Sequence, residues 1–146
     1  MNRIPAALRR AVHERAGGLC EYCGFPDGMD IVPHEVDHIV AVKHGGETDA
    51  ANLALACYLC NKHKGTDLAS VDPESGAVAL LYHPRRDAWA EHFRLDQGRI
   101  DGRTAVGRAT TRLLQLNREE RVAERMALGR AGLLSLPPGN RGRGGA

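Results

Sequence analysis

Cys20-Glu21-Tyr22-Cys23 and Cys57-Tyr58-Leu59-Cys60 decide how the chain is read. These two CxxC pairs use all four cysteines of the 146 residues. Two intervening residues let both sulfurs of a pair meet one ion, and a second such knuckle completes a tetrahedral zinc site. A site of four thiolates is closed, so it adds folding energy and no chemistry. The 33 residues between the pairs exceed the usual zinc-ribbon spacing, so the metal is expected to close a structured insertion. A disulfide framework and a redox CxxC are the competing readings. The N-terminus, MNRIPAALRRAVHERAGG, lacks the continuous apolar run of a secretory signal, which weighs against disulfides.

Outward from the cysteines, the chain divides into four stretches. Residues 1–19 hold a helix from Pro5 to about Ala16, stopped by Gly17-Gly18. Residues 20–68 form the stapled unit. In it, 19–33 reads as knuckle and irregular loop and 35–42 as a strand. Turn chemistry follows over 43–49, then a strand over Leu53–Ala56 and a short helix opening at Asn61. Residues 69–134 form an extension with strands over Ala77–Tyr82 and Trp89–Leu95 and an edge or turn over Gln97–Gly102. Its helices are expected over Thr104–Leu116 and Arg118–Leu128. Residues 135–146, with Pro137-Pro138 and GNRGRGGA, read as a disordered tail.

Inside the staple lie Asp37-His38 and Asn52, with Asn61 directly after Cys60. Each has an ordinary reading: a surface Asp-His pair, a turn or cap asparagine, a helix cap. Together with the knuckles they carry a resemblance. Cys20-Glu-Tyr-Cys23-Gly, Val36-Asp37-His38-Ile39-Val40, Gly45-Gly46, Asn52-Leu53 and Cys57-Tyr-Leu-Cys60-Asn61-Lys-His-Lys64-Gly65 resemble the HNH (His-Me finger) endonucleases, in the zinc-containing bacterial type. Leu81 to Arg86, Trp89 to Phe93, Gly107 to Thr110 and Leu116-Asn117 resemble a C-terminal extension of bacterial members.

The resemblance implies an α+β fold. Its core is a ββα-metal finger stapled by Cys20, Cys23, Cys57 and Cys60, with an N-terminal helix and a C-terminal strand/helix extension. It implies hydrolysis of DNA phosphodiester bonds, leaving 5′-phosphate and 3′-hydroxyl ends, with His38 as general base and Asn52 orienting it. Asp37 and Asn61 become ligands of a catalytic divalent ion. Asn61 stands where many members have a final histidine.

The chemistry of the residues agrees. Neighbours on a strand point to opposite faces, so Asp37 and His38 divide the work between them. Neutral imidazole, with an ordinary pKa of about 6.5, accepts a proton from water. A carboxylate and an amide oxygen suit Mg²⁺ or Mn²⁺ bound together with phosphate.

The formal charge of +2 conceals an asymmetry. Residues 103–146 carry nine arginines against three glutamates, whereas the remainder carries eleven basic against fifteen acidic residues. Such a segment suits a polyanion, although an Arg-rich solvated helix would look alike. Lys64, Arg85, Arg86, Arg103 and Arg108 are the candidate nucleic-acid contacts. His34, His44, His63, His83 and His92 are not promoted, and Trp89 and Phe93 are assigned to a core. Aromatics make up 4%, so that core is expected to be mainly aliphatic.

No apolar run reaches the roughly 18–20 residues of a membrane span, and a cytoplasmic protein is expected. DNA is the expected partner, with RNA possible, in a monomer or homodimer. The alternative function is a non-catalytic, zinc-stabilised nucleic-acid-binding module.

Overall fold

The computed structural model describes residues 3–137. Helix α1 (Ala6–Ala16) follows Pro5, whose missing N–H costs nothing at a helix start. It ends at Gly17 with φ 64°, a conformation open to glycine at little cost. Val12 and Ala16, one turn apart, are its buried residues and pack on Leu53 and Leu55.

Strand β1 (Glu35–His38) pairs antiparallel with β2 (Leu53–Ala56), setting Asp37 opposite Ala54 and His38 opposite Leu53. β2 matches expectation and is buried along its whole length. Its leucines face α1 while Ala54 and Ala56 join the cysteine cluster, so the small residues let the knuckles approach the strand. β1 is shorter than the expected 35–42. The Asn52 amide takes both backbone polar groups of Val40, at 2.9 Å each, and the chain turns into a 3-10 segment over Val42–His44. Once a side chain has satisfied that backbone, no strand partner is needed.

Helix α2 (Tyr58–Lys64) starts three residues before the expected Asn61, with Cys57 as its N-cap. The Cys57 sulfur accepts the Cys60 N–H at 3.5 Å, a cap outside the usual Ser, Thr, Asp and Asn set.

The extension opens with the hairpin β3 (Ala69–Val71) and β4 (Val78–Leu80) around the Asp72–Gly76 turn. β4 lies within the expected 77–82, whereas β3 was not expected. Trp89–Leu95 is not one strand. It divides into the single-turn helix α3 (Trp89–His92) and the start of β5 (Phe93–Asp96), which pairs with β6 (Arg99–Gly102). In a strand, positions four apart lie about 13 Å from each other. The helical turn instead brings the Trp89 and Phe93 rings to 5.0 Å, and the Trp89 indole donates to the Tyr22 carbonyl at 2.9 Å. Helices α4 (Ala105–Leu113) and α5 (Glu119–Arg130) complete the extension near their expected positions.

One apolar cluster joins the knuckle residues, Tyr22, Phe25 and Ile39 to Tyr82, Trp89, Phe93, Ile100, Leu114 and Leu116. The few aromatics are therefore concentrated in one place, within a core that is mainly aliphatic as expected. The knuckles and the extension share this core. Of the stretch expected to be tail, Pro137 is buried and lies with Ser135 against Gly24. The rest of it, 138–146, lies outside the described residues. Among the described residues no helix is long and apolar enough to cross a membrane.

Candidate functional site

Cys20, Cys23, Cys57 and Cys60 converge as the spacing predicts. Their sulfurs all lie within 4.8 Å of one another, and every one is buried. The Cys23 and Cys57 sulfurs are 3.8 Å apart. A tetrahedron with metal–sulfur bonds of about 2.3 Å has edges of about 3.8 Å. A disulfide needs about 2.05 Å. The four cysteines are thus placed to hold one metal ion. Contacts from the Cys20, Cys23 and Cys60 sulfurs push the Cys57 thiol far down, while burial pushes Cys20 up.

The second group lies around β1. The Asp37 carboxylate is 7% exposed, and one oxygen, Oδ2, accepts from the Tyr22 hydroxyl at 3.0 Å and meets Lys64 Nζ at 3.2 Å. Burial pushes its pKa up, and Lys64 and Tyr22 oppose that rise. Burial and the Asp37 charge push Tyr22 well above the usual phenol range, so it stays a neutral donor. Lys64, itself buried, also donates to the His38 carbonyl at 3.2 Å.

Asn61 on α2 donates from Nδ2 to Glu35 at 3.0 Å, which leaves its amide oxygen as the available donor atom. Glu35 and Asp37, two apart on β1, share a face, and α2 supplies Asn61 and Lys64 to that face. Glu35 was missed from sequence, although its position at i−2 from Asp37 was the available signal.

His38 leaves β1 on the other face and is half-buried. Its Nε2 lies 2.9 Å from Thr48 Oγ1, in the turn between the strands. Thr48 was also missed, since ten intervening positions of turn carried no pattern. Asn52 does fix that turn: it bonds Val40 and donates to the Glu47 carbonyl at 2.9 Å. Gly46 is tight for the same reason, because a Cβ there would sit 1.7 Å from the Val40 oxygen and 2.8 Å from Asn52 Nδ2.

The comparisons with known proteins bear on this geometry. The family model described as HNH endonuclease matches residues 20–67. Residues 20–67 are an HNH domain. The match takes in both knuckles, β1, β2 and α2, and leaves the extension outside it. No curated protein and no solved structure matches the chain.

Around the HNH domain, several of the candidate basic contacts serve other purposes. Arg85 pairs with Glu21, which is fully buried and also accepts the Leu55 N–H at 2.8 Å. Arg108 grips Asp72 with two bonds of 2.8 and 3.0 Å, and this holds the Asp72 carboxyl well below the usual range. Lys64 is committed to Asp37. These cations neutralise buried carboxylates, and the Arg85–Glu21 pair binds the extension to the core. Arg86 and Arg103 are exposed, and Arg103 donates to the Ala90 carbonyl at 3.2 Å. Arg86 also borders a cleft of about 260 Å³ with Ile39, Val40 and Lys64.

Three of the histidines not promoted are held by protein groups: His34 by the Phe25 carbonyl, His44 by the Thr66 carbonyl and His92 by Thr104. His83 contributes its Nδ1 to the Arg85 N–H at 3.2 Å.

Proposed function

We propose that the chain is a metal-dependent endonuclease that hydrolyses DNA phosphodiester bonds, with His38 as general base. The observation that carries this reading is the fixed imidazole of His38 within an HNH domain. With Nε2 committed to Thr48, Nδ1 is the nitrogen left to accept a proton from water. The resulting hydroxide forms a new P–O bond while the bond to the 3′ oxygen breaks. The products are a 5′-phosphate and, after protonation, a 3′-hydroxyl. Asn52 holds the turn that carries Thr48, and Lys64 holds the His38 backbone, so both position the base.

Asp37 Oδ1 and the Asn61 amide oxygen would hold a Mg²⁺ or Mn²⁺ ion, with Glu35 beside them. These hard oxygen donors fit such an ion. When bound, it would stabilise the charge that develops on the phosphate. The Lys64 ammonium on Asp37 weakens the attraction for a free cation, which favours an ion arriving with the phosphate. In the four-cysteine centre a structural Zn²⁺ is the ion proposed. Arg86 and Arg103 remain as contacts to the nucleic-acid backbone; Arg85, Arg108 and Lys64 are better explained by their buried partners. A cytoplasmic location is part of the same reading, and one active site per chain would nick one strand.

The test is nicking of supercoiled plasmid in Mg²⁺ or Mn²⁺ by the parent chain and His38→Ala. Nicking by the parent alone is expected. Equal nicking by both would overturn the assignment of His38. Binding without cleavage in either metal would leave a zinc-stabilised binding module, and cleavage of RNA in preference to DNA would change the substrate.

A further inference from the structure

The arginines at the N-terminal end of the chain behave differently from those of the extension. Arg85 and Arg108 pair with buried carboxylates, and Arg121 and Arg125 are themselves buried. Arg3 and Arg9 are exposed, and their side chains make no hydrogen bond or ion pair among the described residues. Both border a groove of about 440 Å³ between α1 and β1, together with His13, His34, Glu35 and Val36. Arg9 and His13, four apart, share one face of α1.

The other polar groups of the groove are already engaged. His13 meets Asp27 at 3.0 Å, the His34 ring meets the Phe25 carbonyl at 2.7 Å, and Glu35 accepts from Asn61 at 3.0 Å. The guanidiniums of Arg3 and Arg9 are what the groove leaves open to solvent. A guanidinium stays charged and offers paired N–H groups that match the oxygens of a phosphate.

The groove also adjoins the candidate site. Val36 and His38, two apart on β1, share a face, and Val36 packs against the cluster of Val12, Ala16, Leu53 and Leu55. Helix α1 therefore lies on the His38 face of the strand. Arg15 fixes it there, donating to the Ala50 carbonyl at 2.9 Å and to the Leu53 carbonyl at 2.6 Å. Leu53 stands opposite His38 in the strand pair. Ile4 packs on the same apolar cluster, which places Arg3 at the groove. Glu35 joins the groove to Asn61.

We propose that this groove is a binding surface for the DNA backbone, with Arg3 and Arg9 holding phosphates of the strand presented to His38. This rests on the nuclease reading of the HNH domain and adds to it a surface outside the matched residues. Contacts of this kind fix the position of the duplex and carry no base sequence. Each arginine that neutralises a phosphate also releases counter-ions, so affinity falls with salt at a logarithmic slope of about 0.9 per contact.

The test follows binding of a fluorescent DNA duplex by anisotropy over a salt series, using the full chain with His38→Ala so that the probe stays intact. Adding Arg3→Gln and Arg9→Gln together is expected to lower the slope of log K against log salt by about 2, and the low-salt affinity by roughly tenfold. Arg3→Lys with Arg9→Lys should keep most of the slope, and the exposed Arg130→Gln should leave it unchanged. Both arginines lie at the surface, so the melting curve should not move. An unchanged slope in the double Gln variant, or an equal fall in Arg130→Gln, would overturn the groove and leave the nuclease reading standing. A change of slope with an RNA duplex and none with DNA would overturn the choice of DNA. Absence of both duplex binding and plasmid nicking by the parent would overturn the nuclease reading itself.

Discussion

The cysteine centre and the His38 edge lie on neighbouring elements of one small domain, yet they are built on opposite plans. The centre uses one residue type, sealed from water, with its sulfurs converging at the spacing of a tetrahedral ion. The edge uses mixed residues from strand, turn and helix, some of them accessible. Each is held by a neighbour: His38 by Thr48, Asp37 by Tyr22 and Lys64, Asn61 by Glu35. A structural site can be sealed because it never exchanges its ligands. A reactive site must admit water and phosphate, so its side chains are fixed from behind.

The contrast breaks first, and most severely, at the centre. Cys57→Ser alters one of the four converging sulfurs and the cap of α2 together. We expect it to abolish cooperative unfolding, as read by circular dichroism during heating; a parent-like melting curve would separate the centre from the fold. His38→Ala should do the reverse, leaving the melting curve intact while nicking falls by about 10²–10⁴-fold. Arg85→Met tests the link between extension and core. It strands the buried Glu21 charge and should cost about 3–5 kcal/mol in urea unfolding. A cost under about 1 kcal/mol would mean that Glu21 gives up its charge or finds water.

Smaller effects sharpen the comparison. Thr48→Val removes only the hydrogen bond to His38, so a roughly tenfold fall in kcat with little change in KM is expected. The pH profile should be displaced and Thr48→Ser should restore both; an unchanged profile would reduce Thr48 to a turn residue. Asp72 gives the smallest effect. Arg108 holds its folded pKa below the unfolded value of about 3.9. The stability it contributes is present above that pH and is lost as pH falls towards the folded value. Asp72→Asn should flatten the acid limb of a stability–pH curve and leave its neutral region with a constant offset.

How far the sequence reached follows from the same contrast. Cysteine spacing is a local signal with one geometric solution, so the convergence of all four cysteines was legible, as were β2 and the two C-terminal helices. Glu35, Thr48, Tyr22 and Lys64 take their roles from packing between elements, which no spacing encodes. The basic C-terminal stretch misled in a similar way. Its charge is real, but Arg108, Arg121 and Arg125 are turned inward to carboxylates, to an aromatic ring and to backbone carbonyls. The strand expected over 89–95 failed because Trp89 and Phe93 needed one helical turn to stack.

The two proposed metal centres, one structural and one catalytic, can be told apart by one measurement. The zinc-loaded chain is treated with a chelator that removes Mg²⁺ and Mn²⁺ but leaves the cysteine-held ion. Nicking of supercoiled plasmid is then followed before and after Mn²⁺ is returned, with circular dichroism recorded throughout. A division of labour predicts a folded, zinc-containing protein that is inactive until Mn²⁺ is restored. Undiminished nicking with the cysteine-held ion alone would contradict it.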